Sequence, residues 1–285
     1  MVTATGTLGE VRLGLIGDNI AASSAPRFHR LAGAQSGLEV IYDRLVPKAL
    51  NLGFDEVFEA CQSGGYRGIN VTYPYKERAV GKVRVDDALV RAIGAVNTVI
   101  FGGGQPLGHN TDYSGFIAAY RDAMEDKAPG AVCLIGTGGV GRAVAFGLVQ
   151  LGADALHLAD LDQDKAHGLA RDLKRSAPHL RVTVFGDPVS AAAEAEGVIN
   201  CTPLGMVGNA GTPLGQAVLG RARWAFDAVY TPVDTQFLKE AAQAGLTTIS
   251  GYELFFHQAV DAWKIFAGTK LDLPRMRREL VEPGA

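Results

Sequence analysis

The sequence predicts an α/β protein of two domains, each built on a mostly parallel sheet. Two observations lead there. Short apolar runs alternate with amphipathic helical stretches along nearly the whole chain, and strands that alternate with helices pair in parallel. A glycine-rich turn at residues 136–141 stands between one such run and a helical stretch. The 285 residues suit two domains of ordinary size.

The first apolar run, residues 11–17, reads as a strand, and a helix follows over 26–35 with Pro26 in its first turn. A strand at 40–46, a helix at 55–62 and a strand at 68–72 come next. A short helix is expected to start at Pro74 and another to span 87–93. Residues 95–101 and 107–110 flank Gly102-Gly103-Gly104 as a hairpin, which puts one antiparallel strand into the sheet. Asp112 opens a long helix with Phe116, Ala119, Tyr120 and Ala123 on one face. Further strands are expected at 132–135, 155–159, 182–185, 197–200, 224–229 and 247–249, joined by right-handed crossovers. In the helix expected over 252–268, Phe255, Phe256, Trp263 and Phe266 exceed what one face hides, so it should pack back on the first domain. The expected division is a three-layer substrate domain over 1–112, a nucleotide-binding domain over 113–251 and returning helices over 252–285.

Composition excludes several classes. With 27 Lys+Arg against 30 Asp+Glu and a net charge of −3, no basic surplus points to nucleic acid. No apolar run approaches the ~18 residues that span a bilayer, and the polar residues 1–10 do not resemble a signal peptide. Cys61, Cys133 and Cys201 are far apart, as expected of free thiols in a reducing compartment. The six histidines show no metal-ligand spacing, so no metal is expected. The expectation is a soluble, cytoplasmic protein, monomeric or homodimeric.

Residues 131–135 are apolar, Gly136-Thr137-Gly138-Gly139-Val140-Gly141 follows, and 142–150 reads as a helix. This is G-x-G-x-x-G between a strand and a helix, the setting of a Rossmann dinucleotide turn. Gly136, Gly138, Gly139, Val140 and Gly141 are the expected pyrophosphate contacts, beside free N–H groups of the helix start. Asp160 ends the next strand about 20 residues on, where an acid meets the ribose hydroxyls. A carboxylate there repels a 2′-phosphate, and no arginine follows closely, so NAD is expected rather than NADP.

The first half carries Asn70-Val71-Thr72-Tyr73-Pro74-Tyr75-Lys76, Gly94-Ala95-Val96-Asn97-Thr98 and Gly108-His109-Asn110-Thr111-Asp112. The second carries 200–206 (Asn-Cys-Thr-Pro-Leu-Gly-Met), Asp227-Ala228-Val229-Tyr230 and Gly251-Tyr252-Glu253-Leu254 leading to Gln258. In this order, around a glycine turn, these motifs resemble the shikimate/quinate dehydrogenase family from Gly14 to about Gly268, most of all its NAD-using branch. The resemblance implies oxidation of a ring hydroxyl of a polyhydroxylated carboxylic acid. It makes Lys76 and Asp112 an acid/base dyad, and Thr72, Asn97 and Gln258 ligands of ring hydroxyls. It puts Ser23 and Tyr230 near the substrate carboxylate, Met206 beside the nicotinamide and Thr202 among the cofactor contacts.

The chemistry fits those residue types. Removing a hydroxyl proton as hydride departs needs a base, and an amine kept out of water or beside another cation can serve. Which member of a Lys–Asp pair holds the proton stays open at this point. Amides and hydroxyls suit a neutral polyol because they give directional hydrogen bonds. One departure stands out. The family pattern after the first strand is Ser-x-Ser/Thr-Pro, but this chain has Ser23-Ser24-Ala25-Pro26. A hydrogen bond to a carboxylate is worth about 1.5–3 kcal/mol, so Ala25 removes a sizeable contact. Three other readings are a dehydrogenase for an analogue such as an aminoshikimate, a two-domain dehydrogenase for a folate-like substrate, and an NAD-binding regulatory module.

Overall fold

A computed structural model describes residues 9–281 of the chain; residues 1–8, most of the polar opening stretch, and 282–285 lie outside the described residues. The first elements are β1 (Gly9–Ile16), α1 (Ala25–Ser36), β2 (Leu38–Leu45), α2 (Pro47–Leu50), α3 (Phe54–Ser63) and β3 (Gly68–Val71). Next come a 3-10 turn (Arg78–Lys82), α4 (Ala88–Ile93), β4 (Thr98–Ile100), β5 (Leu107–His109) and α5 (Thr111–Met124). Then follow β6 (Ala131–Ile135), α6 (Gly139–Gln150), β7 (Ala155–Ala159), α7 (Gln163–Ser176), β8 (Arg181–Phe185), α8 (Pro188–Ala192) and β9 (Gly197–Asn200). The chain ends with β10 (Trp224–Asp227), α9 (Gln236–Gln243), β11 (Thr247–Ser250), α10 (Gly251–Ala267) and α11 (Leu273–Val281).

These elements form two compact units. Of the described residues, unit 1 holds residues 9–87, Val96–His109 and residues 259–281; unit 2 holds Ala88–Ala95 and Asn110–Gln258. Contacts, not chain order, define them, so α5 counts wholly with unit 2 and α10 is shared. Its first half stacks Phe255 on Tyr230 in unit 2. Its second half belongs to unit 1, where Trp263 Nε1 donates to Ser36 Oγ and Thr269 Oγ1.

Unit 1 is a five-stranded sheet in the order β2-β1-β3-β4-β5. Only β4 runs against its neighbours, which gives the single antiparallel strand that the glycine turn predicts. Phe28, Phe54, Phe58, Trp263 and Phe266 are buried in it. Unit 2 is a parallel six-stranded sheet in the order β11-β10-β9-β6-β7-β8. The chain winds outward from β6 first through β7 and β8, then from the other side through β9, β10 and β11. That is the doubly wound nucleotide-binding topology, with its switch point between β6 and β9.

Local structure departs from the sequence reading at four places. No helix starts at Pro74; the segment bends, and the 3-10 turn begins at Arg78. Side chains tie it down instead: the Tyr75 hydroxyl donates to Asp18 at 2.6 Å and the ring stacks on Phe54. Asp112 is not a helix cap. Asn110 caps α5, its Oδ1 accepting from Tyr113 N. On α5 it is Met124, not Ala123, that joins Phe116, Ala119 and Tyr120 in the core, as the 3.6-residue period requires of 116, 120 and 124. Finally, β4 is shorter than expected, and Asn97 precedes it.

Candidate active site

The glycine turn is built at the switch point of unit 2. Gly136 follows β6 at φ 93, where a side chain would be strained, and a Cβ there would come 2.8 Å from the Cys201 carbonyl oxygen. A Cβ on Gly141 would land on the Gly136 carbonyl oxygen, so the turn closes only with glycine at both. Gly138 is the N-cap of α6, and its open side meets nothing within 4 Å. Gly139, Val140 and Gly141 are the first helical residues, whose N–H groups have no partner inside the helix. Open space beside aligned N–H donors fits a dinucleotide pyrophosphate.

Asp160, just past β7, is joined to this turn. Its Oδ2 accepts from Thr137 N at 2.6 Å and from Thr137 Oγ1 at 2.8 Å, and Oδ1 accepts from Asp162 N. On the other side of β6, Asn200 ends β9 and organises the next loop. Its Oδ1 accepts from Thr202 N and Oγ1, and its Nδ2 donates to Leu204 O and Asp227 Oδ1. Asp227 is fully buried; it also accepts from Val229 N and Thr235 Oγ1. Burial pushes its carboxyl up to about 6, against the opposing pull of those three donors. Met206 lies in the turn this network anchors, with Met206 N donating to Pro203 O and Val207 N to Thr231 O. Tyr230, half-buried, stacks on Phe255 at 5.1 Å.

In unit 1 the expected residues sit at or just beyond strand ends. Ser23 Oγ accepts from Ala25 N, and Ser23 O accepts from Arg44. Thr72 follows β3, its N donating to Ile16 O. Lys76 is half-buried, and its carbonyl accepts from Val96 N. Asn97 is 3% exposed and has a fixed orientation. The Tyr42 hydroxyl donates to Asn70 Oδ1, Asn70 Nδ2 donates to Thr98 Oγ1, and Thr98 donates to Asn97 Oδ1. This chain of bonds runs from the core to the Asn97 amide.

In unit 2, Asp112 is 4% exposed in the first turn of α5, where the helix dipole favours a carboxylate. Thr111 Oγ1 donates to Gln258 Oε1, and Gln258 Nε2 donates to Phe255 O. Gln258 is therefore a bonded position rather than a loose surface one. Gly115 allows this approach: a Cβ there would come 2.8 Å from Gln258 N and 3.0 Å from Leu254 O.

Within unit 2 the structure thus joins residues 136–141, Asp160 and Thr202, and separately Thr111 and Gln258. Within unit 1 it joins Thr72 with the neighbourhood of Asn97, where Val71 N donates to Asn97 O. Lys76 belongs to unit 1 and Asp112 to unit 2. Sequence reasoning missed the roles of Asn110, Asn200 and Asp227. The signal available was a polar residue ending an otherwise apolar strand. Among the described residues, Asp122, Glu253 and His257 bring possible metal-ligand atoms within 4.8 Å of one another. These are partly exposed groups on α5 and α10, and His257 Nε2 already pairs with Asp122 at 2.9 Å. No helix of the described residues is long and apolar enough to cross a membrane.

Comparison with known proteins agrees with this architecture. Residues 15–99 match the shikimate dehydrogenase substrate binding domain family. A quinate/shikimate dehydrogenase (NAD(+)) of Corynebacterium efficiens is 37% identical, over 94% of this chain and 96% of the relative. A shikimate dehydrogenase (NADP(+)) of Pseudarthrobacter chlorophenolicus is 35% identical, over 95% and 94%. The solved quinate dehydrogenase from Corynebacterium glutamicum in complex with NAD superposes with a TM-score of 0.86 at 33% identity, covering 96% of this chain and 99% of that one. With whole-length similarity at this level and the doubly wound nucleotide unit in place, the chain belongs to the quinate/shikimate dehydrogenase family of oxidoreductases.

Proposed function

We propose that the protein oxidises a ring hydroxyl of quinate or shikimate with NAD, giving the 3-dehydro ketone, with Lys76 and Asp112 as its acid/base pair. The observation that carries the cofactor choice is Asp160, whose two carboxylate oxygens face the glycine turn and the start of the next segment. A 2′-phosphate would meet a like charge there, whereas a ribose diol offers donors to it. Residues 136–141 hold the pyrophosphate, and Thr202 and Met206 border the nicotinamide end. Bound NAD supplies the hydride acceptor.

The chain's own residues do the rest. Lys76 receives the hydroxyl proton, and Asp112 orients the amine and accepts a neighbouring hydroxyl. Asn97, Thr72 and Gln258 bind ring hydroxyls, and Ser23 and Tyr230 the carboxylate. Burial pushes the thiols of Cys61 and Cys133 up to about 12, so both are inert neutral thiols with no part in the reaction.

The test is a panel of cyclic hydroxy acids with NAD and with NADP, followed by NADH or NADPH absorbance. Quinate or shikimate with NAD should be turned over, and Lys76→Ala should abolish turnover while NAD still binds. Near-normal turnover by Lys76→Ala overturns the assignment of the base. A preference for NADP overturns the reading of Asp160. Binding of the acid without NADH formation would leave a regulatory nucleotide-binding module.

A further inference from the structure

The turn after β1 lacks one hydroxyl that the family pattern places there, and the structure holds a guanidinium on the backbone of the same turn. Ala25 is 7% exposed and carries nothing polar on its side chain. Ser23 keeps its hydroxyl, which faces Ala25 N at 3.3 Å. Arg44, near the end of β2, lies directly beside it. β2 runs parallel to β1 with Leu15 opposite Arg44, so both strands end at the same edge of the sheet. The Arg44 guanidinium donates to the Ser23 carbonyl oxygen at 2.9 Å.

That bond uses one of the five N–H donors of a guanidinium. Among the described residues no carboxylate pairs with Arg44. Asp43, beside it in β2, and Asp18, just after β1, are committed elsewhere. Asp43 takes Arg12 at 3.0 Å and the Tyr66 hydroxyl at 2.6 Å, and Asp18 takes Lys48 at 3.1 Å and the Tyr75 hydroxyl at 2.6 Å. Arg44 is an exposed cation held against the Ser23 turn and not neutralised there.

We infer that Arg44 is a specificity-determining residue that binds the substrate carboxylate in place of the hydroxyl missing at Ala25. This rests on the proposed reading, in which Ser23 faces that carboxylate. A charge-assisted guanidinium bond is about twice as strong as a neutral one, and it needs a full negative charge on the ligand. The exchange of hydroxyl for guanidinium therefore narrows the substrate to the ionised acid. Neutral cyclic polyols and esters of the same ring are poorer ligands.

The test compares quinate with its methyl ester on wild type, Arg44→Gln and Arg44→Lys, reading both calorimetric affinity and turnover. Gln keeps a donor for the Ser23 carbonyl but no charge. It should weaken quinate binding about tenfold or more, leave the ester within about twofold, and leave the KM for NAD unchanged. Lys should keep part of the acid preference. Adding Ala25→Ser to Arg44→Gln should recover part of the lost affinity. Equal loss of acid and ester in Arg44→Gln would reduce Arg44 to a support for the turn and overturn the inference; so would no loss in either. Wild type that binds quinate without turnover defeats the proposed reaction, yet the acid-to-ester ratio still decides Arg44. Wild type that neither binds nor oxidises any such acid overturns both.

Discussion

Asp227 Oδ1 lies 3.0 Å from Asn200 Nδ2, and both side chains are fully buried. The pair links the ends of β10 and β9, and through Asn200 it sets Thr202 and the turn that carries Met206. An isosteric Asp227→Asn change keeps an oxygen for Val229 N and Asn200 but puts an NH2 donor where Oδ2 accepts from the Thr235 hydroxyl. A buried group left without its partner costs about 1–3 kcal/mol. The expected outcome is a lower melting temperature and a KM for NAD raised more than the KM for the acid. Equal effects on both constants would show that the pair serves the fold alone.

Two buried groups give the protein opposing pH dependences. His29 is packed among Phe28, Tyr42, Trp263 and Phe266, and burial lowers its pKa to about 3. The folded state then binds fewer protons than the unfolded one. The His29 contribution is complete above about pH 6.5 and is lost as pH falls toward 3, by up to roughly 5 kcal/mol. Asp227, raised to about 6, acts in the other sense. Its contribution is complete below about pH 4 and is lost as pH rises through 6, by roughly 3 kcal/mol. Denaturant unfolding of wild type and His29→Leu across pH 3–7 checks this: wild type should lose stability relative to the variant as pH falls from 6.5 toward 3. A variant profile parallel to wild type would contradict the buried-imidazole account.

Gly115 limits how closely α5 and α10 approach. Gly115→Ala would press on Gln258 N and Cβ at 2.8 and 2.9 Å. Overpacking of this kind costs about 1–3 kcal/mol, and it moves Gln258 away from Thr111. Thermal melts should show the cost, and the KM for quinate should rise while the KM for NAD stays near wild type.

Asp160→Ser removes the carboxylate that bonds the glycine turn. The KM for NAD should rise about tenfold or more, and the NAD-to-NADP preference should narrow. Steady-state kinetics with both cofactors reads this directly, and an unchanged ratio would contradict the role given to Asp160.

Much of this was legible in the sequence because it depends on local pattern. The strands from β6 to β11 fall within two residues of their apolar runs, and the glycine turn stands between strand and helix as its spacing requires. What was not legible depends on partners distant in the chain. Nothing near Pro74 says that Tyr75 will bond Asp18, 57 residues away. Asn200 and Asp227 stand in separate motifs 27 residues apart, and only strand register places them opposite each other. Asp112 looked like a helix cap because capping and first-turn positions share the same acidic preference; only the Asn110 bond to Tyr113 N separates them. His257 and Asp122 meet because α5 and α10 cross, and no spacing motif records a crossing.

The bonds from Tyr42 through Asn70 and Thr98 to Asn97 run in one direction, each hydroxyl or amide donating to the next oxygen. The Asn97 oxygen is the end that this series holds, because it accepts the Thr98 hydroxyl. The Asn97 side chain therefore cannot rotate without breaking its bond to Thr98, and its geometry is inherited, three bonds away, from the buried Tyr42 hydroxyl.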